Sequence, residues 1–208
     1  MPSPRVDRPD RRSFLRRAGV GGAITVGTVL VPTARFLPAA GAQGSRDEDL
    51  AAFGESIELV VVAAYERGVE WLSEDVAPVL QTFLSHHQEH ADAYAELAGT
   101  AATGEPNPAL LEALDPAIEA FSSQLEVLRF ARDLENQLAV TCGHLLSLME
   151  GRDAVTVAAT ILPTEASHAA ELSHELDEGP EGSFPSGAFQ TADITFGFDP
   201  AVFPVGGP

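Results

Sequence analysis

Glu165 and His168 stand three positions apart in the stretch from Ala154 to Leu176. Residues three apart on an α-helix share a face, so a carboxylate and an imidazole point at one place, where their O and N donors can hold a metal ion. Ala158, Ile161, Glu165, His168 and Leu172 alternate steps of three and four, which sets the polar pair inside an apolar seam. Three further seams have the same plan. Leu128, Ala131, Glu135, Leu138, Cys142, Leu145 and Met149 carry one carboxylate, as do Ala51, Gly54, Glu58, Val61, Tyr65, Gly68 and Leu72. Leu80, Phe83, His87, His90, Tyr94 and Leu97 carry two histidines. An ionised carboxylate buried without partners costs several kcal/mol, so three of them in seams need compensation. A shared centre at Glu58, His87, His90, Glu135, Glu165 and His168 supplies it, and this donor set suits iron, manganese or zinc rather than a thiolate-bound metal.

The elements that must position these residues repeat. Glu58 to Glu135 and Tyr65 to Cys142 are each 77 residues; His87 to Glu165 and His90 to His168 are each 78. The chain therefore reads as two helical hairpins, turning near Ser73-Glu74-Asp75 and near Gly151-Arg152-Asp153, each bringing its polar residues to one level. The expected fold is all-α: an antiparallel four-helix bundle with a long crossover between the second and third helices. Ser45 is the expected N-cap of the first helix, with Asp47, Glu48 and Asp49 favoured by its dipole and an end near Leu72. Asp75 caps the second, which ends near Gly99. Residues 100–115 are the expected crossover, with one or two helical turns over Pro108 to Leu114; sixteen extended residues reach about 50 Å, enough to return along a helix of roughly 35 Å. Asp115-Pro116 reads as N-cap and first residue of a third helix running to Gly151. Asp153 caps the fourth, in which Pro163 is expected to introduce a kink just before Glu165.

The first 42 residues are set apart. Asp10-Arg11-Arg12-Ser13-Phe14-Leu15-Arg16 resembles the twin-arginine export motif, and the weakly apolar run from Ala18 to Val31 is short of a membrane span but suits a signal-peptide core. Ala40-Gly41-Ala42 offers a cleavage site; a retained N-terminal anchor is the alternative. The expected divisions are residues 1–42 as signal, 43–178 as bundle and 179–208 as a Gly/Pro/Phe-rich tail. Export by this route carries proteins already folded, which fits a metal loaded beforehand and places the protein in the periplasm, the cell envelope or outside the cell. Residues 43–208 hold 5 basic and 29 acidic side chains, a formal charge of −24 with no lysine. Such a surface argues against nucleic acid and anionic membranes as partners. The single cysteine, Cys142, excludes an intramolecular disulfide. Two turns beyond Glu135 it lies about 10 Å from the donor level along the helix and reads as a small buried hydrophobe. His86, His144 and His174 fall off the seams, with His86 nearest the site's edge; Tyr65 and Tyr94 read first as core. The tail carries Phe184, Phe189, Phe196, Phe198 and Phe203, too apolar for a solvated segment. It packs across the bundle or against a second copy, and Ile194 to Phe198 has the pattern of a short strand.

With these residues in hand, the chain resembles the ferritin-like superfamily of carboxylate-bridged di-iron bundles, and within it the small exported ferritin-like domain proteins of bacteria. The resemblance covers about Asp47 to Asp177 and rests most on Glu165-Ala166-Ser167-His168 and the lone Glu58 and Glu135. It implies that Glu58 and Glu135 are terminal ligands, Glu165 a bridging one, and His90 and His168 one imidazole on each metal. At His87-Gln88-Glu89-His90 the chain departs from the Glu-x-x-His pattern, since His87 stands in place of the other bridging carboxylate. Glu89 points elsewhere on the helix. The centre implied is di-iron or mononuclear, with manganese or zinc as alternatives, and with oxidoreductase chemistry toward oxygen or peroxide. The competing reading is a non-enzymatic stress or envelope-associated bundle whose site is degenerate.

Overall fold

All seven residues of the seam from Leu128 to Met149 are buried, and so are all five of the seam from Ala158 to Leu172. The three-four rhythm thus sets which face each helix turns inward. The computed structural model describes residues 43–178 and 197–205. Among them are five α-helices and no strand: α1 Gln43–Gly68, α2 Ala77–Ala98, α3 Pro108–Glu119, α4 Gln124–Leu148 and α5 Arg152–Glu175. Short 3-10 turns, Val69–Trp71 and Gly99–Ala101, follow α1 and α2. No described helix is long and apolar enough to cross a membrane. The twin-arginine-like stretch, its cleavage site and most of the suggested strand at Ile194–Phe198 lie outside the described residues.

The long helices pair most closely as α1 with α2 and α4 with α5. A Cβ on Gly54 would stand 3.0 Å from the ring carbons of Tyr94, so a bare glycine lets α2 lay this ring against the α1 backbone. On α2 the buried set is Leu80, Phe83, His87, Ala91, Tyr94 and Ala98. Leu80, Phe83, His87 and Tyr94 of the expected seam are buried, while Ala91 and Ala98 replace His90 and Leu97, with His90 partly buried at the flank.

Helix boundaries differ from the expected ones in places that can be explained. Ser45 lies inside α1 rather than capping it, and Asp47 does a different job: its carboxylate accepts the Glu150 N–H at 3.1 Å and the Gly151 N–H at 2.6 Å, tying the α4–α5 turn to α1. The first long helix stops at Gly68 and tightens into a 3-10 turn before Leu72. The second is preceded by Val76, not capped by Asp75, and the fourth by Gly151, with Asp153 in its first turn. The largest correction concerns Asp115-Pro116. Asn107 caps a separate α3 by accepting the Leu110 N–H, Pro108 opens it, and Pro116 falls inside it. The chain then turns at Phe121, and Ser123 accepts the Glu126 N–H while the Glu126 carboxylate accepts from Ser122 and Ser123. This reciprocal capping, spelled Ser-x-x-Glu, starts α4 eight residues later than Pro116 suggested.

α1 is buried on nearly every side from Leu50 to Tyr65. A helix enclosed all round needs cover beyond its bundle partners. α3 packs on it, and the residues around Phe198 to Val205 close over the bundle: the Phe198 N–H donates to Thr141 Oγ1 at 2.8 Å, and Asn107 Nδ2 donates to the Phe203 carbonyl at 3.0 Å. The described part of the tail thus packs across the helices, one of the two placements its composition allowed. On the same outer side, the buried Glu55 accepts the N–H groups of Thr103 at 2.9 Å and Gly104 at 3.0 Å, pinning the segment between α2 and α3 to α1. Hydrogen bonds to a charged acceptor contribute about 1.5–3 kcal/mol. Glu55→Ala is expected to lower unfolding stability by about 2 kcal/mol, read by urea denaturation; a loss below about 0.5 kcal/mol, the range of neutral surface changes, would show that the clamp does not hold this segment.

Candidate metal centre

The four long helices each send donors to one level. Glu58 comes from α1, His87 and His90 from α2, Glu135 from α4, and Glu165 and His168 from α5. His87, Glu135 and Glu165 are fully shielded from solvent, and Glu58 and His168 nearly so; the His90 side chain keeps 13% of its exposure. All six residues picked out by spacing are brought together. They form two groups, Glu58–His87–His90–Glu165 and His87–Glu135–Glu165–His168, in each of which one donor atom per residue lies within 4.8 Å of the others.

His87 and Glu165 belong to both groups but span them differently. His87 Nδ1 lies 2.8 Å from Glu58 Oε2, and its Nε2 lies 3.0 Å from Glu135 Oε1. The imidazole is thus hydrogen-bonded at both ends, joining a carboxylate of α1 to one of α4. Glu165 Oε1 lies 2.8 Å from His90 Nδ1, and its Oε2 lies 3.7 Å from His168 Nδ1. Yet neither Glu165 oxygen, nor His90 Nδ1, makes an aligned hydrogen bond. The close approach to His90 has the distance but not the direction, so two imidazole nitrogens and a carboxylate face a common space without satisfying one another. A bare carboxylate buried this way is strongly disfavoured unless a cation completes it. Glu135 is the opposite case. It takes the Tyr65 hydroxyl and His87 on Oε1 and His168 Nδ1 at 3.3 Å on Oε2.

The electrostatics follow from this crowding. Burial works against a charge on His87, but the Glu135 and Glu165 charges and the hydrogen bonds with Glu135 and Glu58 outweigh it and raise the imidazole well above its ordinary range. Burial likewise lowers His90, while its contacts with Glu165 and Glu58 push it up to about 9. His168 is raised against its burial by Glu135 and Glu165. Burial would raise Glu135, but the His87 charge and the donors around it hold this carboxyl well below the usual range. Tyr65 is raised by burial and by Glu135 beside it, so its phenol stays a donor.

Three further residues near the centre touch its members. Tyr65, read first as core, is buried and also hydrogen-bonded to Glu135. Its seam position seven residues after Glu58 was the available signal. His86, expected at the edge, reaches His168 with Nδ1 2.9 Å from Nε2. Burial and the neighbouring His168 lower its imidazole. Phe83 lies against the His168 ring, with centroids 4.0 Å apart and planes at 22°. Cys142 is buried with Sγ 3.9 Å from the Tyr94 hydroxyl, and belongs to neither donor group, as its axial distance suggested. His174 is exposed and His144 half-buried, also apart from the donors.

The model of the family described as Ferritin-like domain matches residues 39–178. The chain belongs to this family. No curated protein and no solved structure gives a match to it. The stretch matched holds all six donors of this ferritin-like domain, including His87 at the point where the sequence pattern departs.

The raised imidazoles and lowered carboxyl give the metal-free ferritin-like domain a definite pH response. A group raised on folding stabilises fully below its unfolded value and loses that contribution as pH climbs through its folded value; a lowered carboxyl does the reverse on acidification. Thermal unfolding of chelator-treated protein is therefore expected to be highest between about pH 4.5 and 6.5 and to fall toward pH 9 as His90 loses its proton. A midpoint unchanged from about pH 6.5 to 9.5 would contradict the coupling of these imidazoles to the carboxylates.

Proposed function

We propose that this chain is an exported ferritin-like protein that holds iron, or a similar first-row metal, among Glu58, His87, His90, Glu135, Glu165 and His168. The observation that carries the reading is the Glu165 carboxylate, fully buried, with neither oxygen hydrogen-bonded and the Nδ1 atoms of His90 and His168 on either side. Oxygen and imidazole donors suit iron, manganese or zinc. The helices form an antiparallel bundle with a long crossover, a reading supported by the pairing of α1 with α2 and α4 with α5 and by α3 lying between the pairs in sequence. The twin-arginine-like run at Arg11-Arg12 supports export.

Bound iron supplies one-electron chemistry toward oxygen or peroxide, and the side chains do the rest. Glu165 spans the two donor groups, His90 and His168 present Nδ1 from opposite sides, and Tyr65 donates to Glu135 and fixes that carboxylate's orientation. Phe83 and the seam residues above and below exclude water. A second reading is favoured by one observation: His87 already joins Glu58 to Glu135, so an imidazolium there compensates part of the charge without a metal. On that reading the protein is a non-enzymatic envelope or stress-associated bundle.

Elemental analysis by mass spectrometry of the exported protein, beside a Glu165→Ala, His168→Ala double variant, separates the two. Metal in the parent and its loss in the variant is the expected result; one equivalent identifies a mononuclear centre and two a paired one. A metal-free parent that also takes up no iron, manganese or zinc on incubation would leave the degenerate-site reading standing.

A further inference from the structure

His86 precedes His87 on α2 and is turned about 100° from it, so it does not face the donor level from the same stripe. It is half-buried at the edge of an open polar recess of about 490 Å³ that also touches Pro78, Gln81, Thr82, Ser85 and Glu89. Inward of it is His168. The two rings lie nearly parallel, at 11°, with centroids 5.2 Å apart and His86 Nδ1 2.9 Å from His168 Nε2. That centroid distance is what two imidazole radii and the 2.9 Å contact add up to, so the rings meet edge to edge in nearly one plane. This is a directed hydrogen bond and not a face-to-face stack.

The direction of that bond is set by the other edge of His168. Its Nδ1 faces Glu135 Oε2 at 3.3 Å and Glu165 Oε2 at 3.7 Å, which makes Nδ1 the atom that meets a cation between the carboxylates. A neutral imidazole that binds through one nitrogen carries its proton on the other, and the partner of that N–H fixes the tautomer and the ring's orientation. The only partner His168 Nε2 has among the described residues is His86 Nδ1.

We propose that His86 is a positioning residue for the metal centre: its Nδ1 accepts the Nε2–H of His168 and so holds the His168 Nδ1 lone pair toward Glu135 and Glu165. The inference rests on the metal reading above and adds to it a residue outside the six donors. His168 is then fixed on two sides, by Phe83 against its face and by His86 at its outer edge. The arrangement also makes one nitrogen of His168 answer to a side chain that solvent can reach.

The test is cobalt(II) binding to the metal-stripped protein, followed by calorimetry and by the visible absorption of the bound ion, for the parent, His86→Leu and His86→Gln. Leucine fills the space without an acceptor; the glutamine carbonyl can still accept the His168 N–H. Loss of a partner in this position costs about 10–100-fold in metal affinity. That loss is expected for His86→Leu, with an altered cobalt spectrum, and His86→Gln is expected to recover most of both. Thermal unfolding of the metal-free forms is expected to stay close to the parent, which separates positioning from folding. Parent-like binding by His86→Leu, or equal losses in leucine and glutamine variants, would overturn the role of His86 and leave the metal reading intact. No cobalt uptake by the parent itself would overturn the metal reading, and the role of His86 with it.

Discussion

Three carboxylates and three imidazoles share one buried level, and everything else in the chain is constrained by the need to neutralise them there. Each comes from a helix whose neighbouring seam positions are apolar, so none can turn out to solvent without exposing leucines and alanines in exchange. A slip of one residue in any of the four long helices would swing its donor by about 100° and leave an uncompensated charge against the remaining groups. Register in this protein is therefore set by electrostatics as well as by packing. Gly54 against the Tyr94 ring and Asp47 on the α4–α5 turn are ways of holding that register from a distance.

The cluster is not symmetric. Glu135 already has three partners in Tyr65, His87 and His168, whereas both oxygens of Glu165 remain without an aligned donor. The shortfall of aligned hydrogen bonds is concentrated between Glu165 and His90. His87 is what creates the imbalance: a carboxylate in its place would be a fourth group needing donors, while the imidazole gives hydrogen bonds at both of its edges to Glu58 and Glu135. The exchange changes a residue that would demand a cation into one that substitutes for part of it.

The sequence carried the inward faces of α4 and α5 almost residue for residue, because alternating three- and four-residue steps are imposed by helix geometry and survive whatever the tertiary context. It carried the six clustered side chains for the same reason, since a carboxylate or an imidazole in an apolar seam is conspicuous. Boundaries were less legible. Asp115-Pro116 has the form of a helix start, but Asn107 and Pro108 make an equally good one earlier, and Ser123 with Glu126 makes another later; local capping signals do not say which will be used. Glu55 was invisible as a structural residue, since it sits off the seam on a helix that is buried on nearly every side, and its partners are backbone groups of a loop some fifty residues on. His86 was legible only as a histidine beside a donor; that its ring edge meets His168 depends on α5 lying at that flank of α2, which periodicity cannot supply.

The enclosure of α1 has a consequence for how the protein comes into being. Translation delivers α1 first, yet its outer side is closed by α3, by the loop pinned to Glu55 and by the segment from Phe198 to Val205, the last described residues of the chain. The six donors have all left the ribosome once His168 and the turns after it have emerged, well before that final cover can be laid down. The nascent chain thus passes through a stage in which its inner chemistry is complete while its oldest helix still shows an apolar flank to whatever surrounds it. That flank is covered only when residues 198–205 have taken their place.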